Sequence, residues 1–333
     1  MGDPAGIGPD ITLASWRARK RHALPAFAVY GDPEALRERA RALGLDVPIA
    51  CIDDLAEAIR LFDDALPVWS VIPPGTVQAT LGTDATIVAA IESATAAVAA
   101  GEALALVTNP IAKRSLRTIP LEYPGHTAYL GLLAARHNGG QRFRPTMMLV
   151  ADELKVVPAT VHIPLSSVAS TLTTALIAET VRITATALAL DFGIANPRIA
   201  VAGLNPHAGE DGLIGTEEAS IIAPAIAELA SAGVAVTGPH SADTLFHKEA
   251  RNAYDAVVAM YHDQALIPLK TLAFDRGVNF TLGLPFIRTS PDHGTAFALA
   301  GTGRARPDSF IAAVQLAAKL GQRRAAARTS ASR

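Results

Sequence analysis

The chain has 333 residues, half of them hydrophobic, and a formal net charge of −2 at pH 7. This length exceeds what one small core supports and predicts two lobes or domains. The near-zero charge gives no global field that would attract nucleic acid or a membrane surface, so neither is expected as a partner. Charged or polar residues interrupt every apolar run before it reaches membrane-spanning length, and no signal peptide opens the chain, which together favour a cytoplasmic protein.

The chain contains one cysteine, Cys51, which excludes an internal disulfide and a zinc site built from cysteines. Cys51 lies in the apolar run 47–52, where we expect a buried structural thiol. Two local basic clusters lie at 17–21 and 323–333. We interpret the first as a solvated helix end and the second as part of a flexible C-terminal tail over 321–333.

The chain opens with a Gly/Pro loop, GDPAGIGPD at 2–10, that leads into an amphipathic run. In α/β proteins such a loop normally follows a strand, and no residues precede it here to form one, so the first strand of the sheet is not accounted for. Strand-like and helix-like segments then alternate. The predicted strands are 26–30, 47–52, 68–72 and 104–107, and the predicted helices are 32–43, 55–62 and 83–100. The alternation predicts a mostly parallel sheet covered on both faces.

The middle of the chain has a different pattern. Residues 146–150 and 154–161 carry β-branched side chains and are close in sequence, which predicts an antiparallel hairpin around Asp152 and Glu153. The remaining predicted elements are helices at 173–190 and 216–231 and strands at 199–202 and 256–260. The sheet is therefore expected to include some antiparallel strands.

Ionisable side chains are concentrated in one otherwise apolar stretch, 261–303. Among them are His262, Asp263, Lys270, Arg276, Arg288, Asp292 and His293, and the polar Asn279 lies with them. Glycines and prolines between them fix turns and allow the backbone to approach a ligand closely. A segment built only for packing would not need this combination, so the stretch is predicted to form the floor of an anion-binding active site.

Three histidines follow predicted strands, namely His162, His207 and His262. The carboxyl ends of strands are where open α/β sheets bind ligands. Three neutral imidazoles suit Zn²⁺, Co²⁺ or a similar cation and leave positions open for a substrate. For one histidine alone a hydrogen-bonded loop residue would be the better interpretation, but three in the same context favour a metal site.

Two aspartates are candidates for orienting these histidines, Asp263 beside His262 and Asp243 in the segment ADTLF. Asp243 is equally well explained as a helix cap. Neither interpretation is excluded by the sequence.

Lys270, Arg288 and His126 are candidate anion-binding residues. His126 and Thr127 begin a predicted helix, where main-chain N–H groups and the helix dipole favour phosphate. Arg288 precedes a turn, where a guanidinium can hold an oxyanion with two hydrogen bonds. A lone Lys or Arg is usually a surface charge, but Lys270 and Arg288 lie in an apolar segment rich in Gly and Pro. No GxGxxG follows a strand and no GxxxxGK[ST] occurs, so no cofactor-binding residues are identified.

Longer motifs resemble the PdxA family, the 4-hydroxythreonine-4-phosphate dehydrogenases of vitamin B6 biosynthesis. They are GDPAGIGPD at 2–10, VTNPIAK at 107–113, YPGHT at 123–127, ATVHIPL at 159–165, GLNPHAGEDGLIGTEE at 203–218, ADTLF at 242–246, YHDQALIPLK at 261–270 and VNFTLGLPFIRTSPDHGTA at 278–296. The resemblance covers essentially the whole chain.

The resemblance implies functional residues that largely coincide with those chosen above. The metal ligands it implies are His162, His207 and His262, the substrate-binding residues are His126, Thr127, Lys270, Asn279 and Arg288, and the supporting aspartates are Asp243 and Asp263. Asn279 is the one position that the resemblance adds. It also implies NAD or NADP as the cofactor and one divalent metal ion, Zn, Mg or Co, in each subunit.

The implied fold is the two-lobed α/β/α fold of isocitrate and isopropylmalate dehydrogenases, in a homodimer whose active site takes residues from both subunits. Applied to this chain, it gives lobe A over about 1–125 and about 285–320, and lobe B over about 126–284. The fold binds NAD(P) without a GxGxxG.

The implied reaction oxidises 4-phosphooxy-L-threonine to 2-amino-3-oxo-4-phosphooxybutanoate, which decarboxylates to 3-amino-2-oxopropyl phosphate. The chain departs from the family pattern at Ala128, where Glu is usual, and at 238–241, which reads GPHS rather than GPLP. Two alternatives therefore stay open. One is a related dehydrogenase of another phosphorylated hydroxy acid, such as a four-carbon sugar-acid phosphate, or of a diol. The other is a non-catalytic, metal-dependent phosphometabolite-binding protein.

Overall fold

The computed structural model describes residues 1–72, 83–112, 115 and 125–331. These residues form two compact units, the first made of 1–145 and 284–322 and the second of 146–283 and 323–333. The lobes expected from the sequence place 126–145 in lobe B, whereas these residues group with the first unit.

Strands and helices alternate along much of the chain, and both are numbered in chain order. The strands are β1 (Val29–Gly31), β2 (Ile49–Ile52), β3 (Leu66–Ser70), β4 (Ala105–Val107), β5 (Thr146–Ala151), β6 (Leu154–Pro158), β7 (Ile199–Ala202), β8 (Val236–His240), β9 (Ala256–Ala259), β10 (Val278–Leu282) and β11 (Ile287–Pro291). The helices are α1 (Gly8–Arg17), α2 (Pro33–Ala42), α3 (Ala56–Leu61), α4 (Thr83–Ala100), α5 (His126–His137), α6 (Val168–Thr171), α7 (Thr174–Leu190), α8 (Ala223–Ser231), α9 (Ala242–Leu245), α10 (His262–Ala273) and α11 (Asp308–Ala331).

The strands pair mostly in parallel. In the first unit, β1, β3 and β2 form a parallel sheet in that order, and β4 pairs in parallel with β11. In the second unit the order is β10-β5-β6-β9-β7-β8, where β5 is antiparallel to both of its neighbours and the other pairs are parallel. The predicted hairpin is confirmed, because Ala151 pairs with Leu154 across a turn at Asp152 and Glu153. The predicted α/β class with a mostly parallel sheet is also confirmed.

Local sequence signals explain where several helices begin. The Asp32 carboxylate accepts a hydrogen bond from the N–H of Glu34, and Pro33 follows it in the first turn of α2. The hydroxyl of Thr173 accepts a hydrogen bond from the N–H of Leu176 at the start of α7. Both helices begin within one residue of the predicted positions because the capping side chain and the backbone it satisfies are neighbours in sequence.

Helix α4 has the bounds that the sequence predicts. Helix α4 is long and apolar enough to cross a membrane by length and composition, although the sequence analysis predicted no apolar run of that length. A third of its residues are buried inside the protein. Ile87, Ile91 and Val98 on α4 pack with Tyr129 and Leu130 of α5 in the core of the first unit. This packing is what a core helix of a folded domain makes.

Two expectations about the ends and edges of the fold differ from the structure. Cys51 is exposed rather than buried, because β2 is an outer strand of its sheet. The thiol sulfur lies 3.8 Å from Nη2 of Arg37.

The predicted flexible tail is instead helical through Ala331. Arg324 in this helix forms a bidentate ion pair with the buried carboxylate of Asp191, with N–O distances of 2.7 and 2.8 Å. Burial raises the pKa of Asp191, and Arg324 offsets that rise only in part.

Candidate active site

Arg288 is a buried cation on β11, where it pairs with Leu106 of β4. Its side chain is 4% exposed, and its Nε and Nη2 atoms donate hydrogen bonds to Oγ1 of Thr108 at 3.0 and 2.6 Å. Thr108 follows β4, and its backbone N–H bonds to the carbonyl of Thr289 on β11. Burial lowers the pKa of Arg288 to about 10, so the guanidinium stays charged at neutral pH. A buried cation is costly, and an anionic ligand would compensate for that cost.

His126 is the first residue of α5, as the sequence predicts. Its Nε2 atom is buried and makes no hydrogen bond with any residue that the structure describes. Burial, and then the charge of Arg288, hold the pKa of His126 well below its usual value, so the imidazole is neutral at pH 7. Thr127 follows in the first helical turn and is partly buried. A neutral imidazole at a helix N-terminus within the field of a buried guanidinium suits an oxyanion. The residues before Gly125 in the YPGHT motif lie outside the described part of the chain.

The lowered pKa of His126 has a consequence for stability. The unfolded chain takes up a proton on this histidine below pH ~6.5, whereas the folded chain does not, so acidification favours unfolding by about 1.4 kcal/mol per pH unit. The sign follows from the protons bound by the two states. Above the pKa of the unfolded chain, His126 is neutral in both states and its full contribution to folding stability is present. Below that pKa only the unfolded chain binds the proton, so the free energy of unfolding falls as the pH falls. A His126→Gln variant should lack this loss. Urea unfolding at pH 7 and pH 5 should show a smaller difference for the variant than for the wild type, and equal differences would contradict it.

His162 and His262 lie side by side in the second unit. Their ring centroids are 5.7 Å apart. His162 follows β6 on a loop with a φ of 53°, and His262 begins α10 directly after β9. Because β6 and β9 are parallel neighbours, their carboxyl ends meet at the same edge of the sheet. The sequence expectation that histidines at strand ends come together therefore describes this pair.

Asp263 contacts the ring of His262. The distance between its Oδ1 atom and Nδ1 of His262 is 2.6 Å. A carboxylate on one ring nitrogen fixes the orientation of the imidazole and leaves the other nitrogen for a ligand. Asp263 is exposed and His262 is partly buried, so the pair faces solvent.

His207 lies on an unusual turn after β7. His207, Ala208, Glu210 and Asp211 all have positive φ angles, as does Gly209 between them. Left-handed backbone is costly for residues other than glycine and persists only where neighbouring groups impose it. The imidazole of His207 is exposed at this turn.

Asp243 is electrostatically coupled to His207. A hydrogen bond from Ser241 is the main cause that lowers the pKa of Asp243, and the charge of His207 contributes further. The N-cap of α9 is Ser241, and no side chain makes a capping hydrogen bond there. Backbone N–H groups of Asp243 and Thr244 in the first turn of α9 also lower the pKa of Asp243, so its position fits both a neighbour of His207 and a group that stabilises the helix start.

The structure brings the histidines together only in part. Within residues 1–72, 83–112, 115 and 125–331, no group of three or more His, Cys, Asp or Glu side chains has the geometry to hold a metal ion. His162 and His262 form one pair, and His207 lies with Asp243. The donor types fit a divalent cation, but the three imidazoles do not converge within one chain.

Lys270 and Asn279 lie elsewhere in the second unit. Lys270 is on α10, eight residues after His262, which places it roughly 12 Å further along the helix. Its Nζ atom lies 5.4 Å from the ring centroid of Phe274. Asn279 is on β10 opposite Leu149 and is partly exposed. Lys270 therefore shares a helix with His262, whereas Asn279 lies on the strand that pairs with β5.

Glu218 is a residue that sequence reasoning missed. It is buried, and its Oε1 atom accepts hydrogen bonds from the backbone N–H groups of Leu204 and Asn205 at 2.8 and 2.7 Å. Its Oε2 atom accepts from Nδ2 of Asn205 at 2.9 Å. These bonds anchor the start of the left-handed turn that carries His207. No sequence signal separates Glu218 from the adjacent Glu217, because only the long-range fold buries one of them.

A Glu218→Ala variant should therefore change the position of His207 without removing any proposed ligand. Two backbone N–H groups would lose a charged acceptor, at a cost of about 2–4 kcal/mol to the turn. We expect metal affinity to fall at least 10-fold, measured by isothermal titration with Zn²⁺. Glu249→Ala, which removes an exposed carboxylate of the same unit, is the control, and equal affinities for the two variants would contradict the assignment.

These observations define an α/β chain with a buried guanidinium in its first unit and imidazoles at the ends of parallel strands in its second. The model of the family described as "Pyridoxal phosphate biosynthetic protein PdxA" matches residues 23–317, and the chain belongs to this family. The resemblance drawn from the motifs is thereby confirmed, and with it the membership of a family of oxidoreductases.

Individual relatives agree with the family match. A 4-hydroxythreonine-4-phosphate dehydrogenase of Xanthobacter autotrophicus is 52% identical over 325 residues, which cover 96% of this chain and 92% of the relative. The crystal structure of the Klebsiella pneumoniae 4-hydroxythreonine-4-phosphate dehydrogenase superimposes with a TM-score of 0.79 at 39% identity, covering 97% and 96% of the two chains. A terephthalate 1,2-cis-dihydrodiol dehydrogenase of Burkholderia xenovorans gives a TM-score of 0.60 at 28% identity, covering 96% of each chain.

Proposed function

We propose that this protein is an NAD(P)-dependent, metal-dependent dehydrogenase that oxidises 4-phosphooxy-L-threonine to 2-amino-3-oxo-4-phosphooxybutanoate in vitamin B6 biosynthesis. The product then loses CO₂ to give 3-amino-2-oxopropyl phosphate. The observation that carries the proposal is the similarity at 52% identity, along nearly the whole chain, to a relative of that name. The buried Arg288 and the neutral His126 support it, since they suit a phosphorylated substrate.

The substrate phosphate binds to Arg288, His126 and Thr127, with Lys270 and Asn279 as further substrate-binding residues. Arg288 supplies a charged, planar donor that is already held in place by Thr108. Binding of the phosphate, which is remote from the reacting carbon, positions that carbon for reaction and lowers the entropy cost of catalysis.

One divalent ion, Zn, Mg or Co, is held by His162, His207 and His262 in this proposal. When bound, such an ion acts as a Lewis acid that lowers the pKa of the substrate hydroxyl. Asp263 orients the ring of His262, and Asp243 holds a negative charge near His207. The contact with Asp263 sets the direction in which His262 presents its other ring nitrogen.

The enzyme acts as a homodimer whose active site takes residues from both subunits. This part of the proposal rests on membership of the PdxA family. Its partners are then a small phosphorylated substrate, the nicotinamide cofactor and a second copy of itself, and its location is the cytoplasm.

The chemical step moves a hydride and a proton. The C3–H bond of the substrate breaks, its hydride passes to NAD(P)+, and the hydroxyl proton passes to a base, for which Asp243 and Asp263 are the available carboxylates. Oxidation leaves a ketone β to the carboxylate, and cleavage of that C–C bond releases CO₂ while the resulting enol takes up a proton.

A dehydrogenase of a diol or of another phosphorylated hydroxy acid is the second candidate. The likeness to the dihydrodiol dehydrogenase, at 28% identity, favours it, and so does Ala128 where the family usually has Glu. The higher identity to a 4-hydroxythreonine-4-phosphate dehydrogenase, 52% against 28%, argues for the phosphorylated substrate.

The test is the formation of NADH or NADPH from 4-phosphooxy-L-threonine, with and without a chelator. Turnover that stops with the chelator and returns with a divalent cation supports both the reaction and the metal. Turnover that a chelator leaves unchanged, in protein shown to be metal-free, overturns the metal assignment alone. Turnover of a cis-dihydrodiol or of a four-carbon sugar-acid phosphate, and none of 4-phosphooxy-L-threonine, would establish the second candidate.

A further inference from the structure

The side chain of Gln264 connects the ends of strands β7 and β9 in the second unit. The register pairs of these two parallel strands run as far as Val201 and Val258. Past this point the Gln264 amide lies between the two backbones. Its Nε2 atom donates to the carbonyl of Gly203 at 2.8 Å, and its Oε1 atom accepts from the N–H of Met260 at 2.7 Å. One side chain therefore joins the two strand ends beyond their last backbone pair.

A glutamine amide suits this place because it offers a carbonyl acceptor and an NH₂ donor, as a peptide group does. The donor faces a backbone carbonyl and the acceptor faces a backbone N–H, so the two partners fix the orientation of the amide. Both partner residues, Gly203 and Met260, are buried. Buried backbone groups need hydrogen-bond partners, so removal of the amide would drive the strand ends to move toward new ones.

Gln264 also holds the backbone on both sides of His262. It lies in the first turn of α10, after His262, and its bond to Met260 reaches the residues before His262. On the other side of β9, the carbonyl of Met260 accepts hydrogen bonds from the N–H and the hydroxyl of Thr160 at 3.2 and 2.8 Å. Thr160 is buried and closely precedes His162. The backbone segments of His162 and His262 are therefore tied together at Met260, and Gln264 extends this connection.

The other end of the bridge contacts the turn that carries His207. A Cβ atom at Gly203 would lie 2.9 Å from Cα of Ala208, which is closer than carbon atoms pack, so this turn lies directly against Gly203. The N–H of Gly203 donates to the carbonyl of His240 at the end of β8, at 2.8 Å. Gly203 is thus held by Gln264, by β8 and by the turn. Any shift of Gly203 would displace His207, which adjoins Ala208.

We propose that Gln264 is a positioning residue for the metal site, whose amide sets the separation of the backbone segments that carry His207 and His262. The inference rests on the proposed function, because that proposal makes these histidines metal ligands. Gln264 acts through Gly203 and Met260 rather than by binding the ion. Residues that hold metal ligands in place typically contribute 10- to 100-fold to metal affinity or activity.

The experiment compares Zn²⁺ affinity in the full chain and two variants by titration calorimetry at one fixed pH. Gln264→Met keeps the length of the side chain but removes the amide, and we expect its Zn²⁺ affinity to fall at least 10-fold. Asp255→Ala is the matched control, because Asp255 joins the same two strands at their opposite ends through an ion pair with Arg198, at 3.1 Å. Its Zn²⁺ affinity should stay within about threefold of the wild type. Equal affinities for the two variants would overturn the proposal.

The visible absorption spectrum of bound Co²⁺ is a second readout, which a general loss of stability would not change. At saturating Co²⁺ the bands of Gln264→Met should differ from those of the wild type in position or intensity, whereas those of Asp255→Ala should not. Identical spectra for the three proteins would overturn the proposal. If circular dichroism shows that Gln264→Met is unfolded, Gln264→Asn replaces it with the same two outcomes, because its shorter amide reaches only one of the two backbone partners at a time.

These measurements separate the role of Gln264 from the proposed reaction. Wild-type protein that binds Zn²⁺ and shows the effect of Gln264→Met, but does not oxidise 4-phosphooxy-L-threonine, would overturn the reaction alone. Wild-type protein that oxidises this substrate, together with unchanged Zn²⁺ affinity in Gln264→Met, would overturn the positioning role alone.

Discussion

Replacing Arg288 with alanine should lower kcat/KM for 4-phosphooxy-L-threonine by about 100-fold or more. Hydrogen bonds from a charged donor contribute about 1.5–3 kcal/mol each, and a bidentate guanidinium makes two of them. Since every 1.36 kcal/mol corresponds to a tenfold change, loss of the fork at the phosphate costs two orders of magnitude or more. Both KM and kcat should worsen, because phosphate binding also positions the reacting carbon.

Two variants separate charge from geometry at this position. Arg288→Lys keeps a cation but loses the planar fork held by Thr108, so its kcat/KM should fall between those of the wild type and Arg288→Ala. Arg304→Ala removes an exposed arginine of the same unit and should leave kcat/KM within about twofold.

Inhibition by inorganic phosphate provides a readout that a mere loss of stability would not give. Phosphate should compete with substrate in the wild type and should lose at least ten-fold in affinity for Arg288→Ala. Folding is checked by circular dichroism, because removal of a buried side chain also leaves a space in the core. A folded Arg288→Ala protein with unchanged phosphate inhibition would remove Arg288 from the anion site.

Features set by neighbouring residues were predictable from the sequence. The starts of α2 and α7 follow from Asp32 and Thr173, whose partners are two and three residues away. The proximity of His162 and His262 follows from one rule, that parallel neighbouring strands end at the same edge. These predictions needed only residue patterns within a few positions of the sequence and the rule that neighbouring parallel strands end at the same edge of a sheet.

Features set by the order of strands were not predictable in the same way. Cys51 lies in an apolar run, yet its strand is at the edge of the sheet and the thiol is exposed. Arg288 reads as a charged residue in a turn-rich segment, and its burial beside Thr108 depends on β4, some 180 residues earlier. The turn of His207 depends on Glu218, which looks like any acidic residue near a helix start. In all three cases the environment of the residue depends on contacts with segments that are distant in sequence.

Replacing His207 with alanine should lower turnover by at least ~1000-fold and the affinity for Zn²⁺ at least 100-fold. Loss of one of three imidazole ligands leaves an incomplete coordination shell, and the Lewis acid would no longer be fixed at the substrate hydroxyl. Metal affinity is measured by titration calorimetry at the same fixed pH for every variant, because metal binding releases protons and its affinity depends on pH. His247→Ala, which removes an exposed histidine of the same unit, should change neither quantity. A His207→Ala protein with normal zinc affinity would remove His207 from the metal site.

Mixing two single variants gives a sharper form of this test. Each of the variants His207→Ala and His262→Ala should be inactive by itself. If one site takes these two ligands from different subunits, a mixed dimer contains one site with both histidines intact and one with neither. Random re-association of equal amounts should then restore about a quarter of the wild-type activity, since half of the dimers are mixed and half of their sites are complete. If both ligands belong to the same chain, every site lacks one of them and no activity returns, so the mixing experiment decides whether the second subunit is part of the metal site.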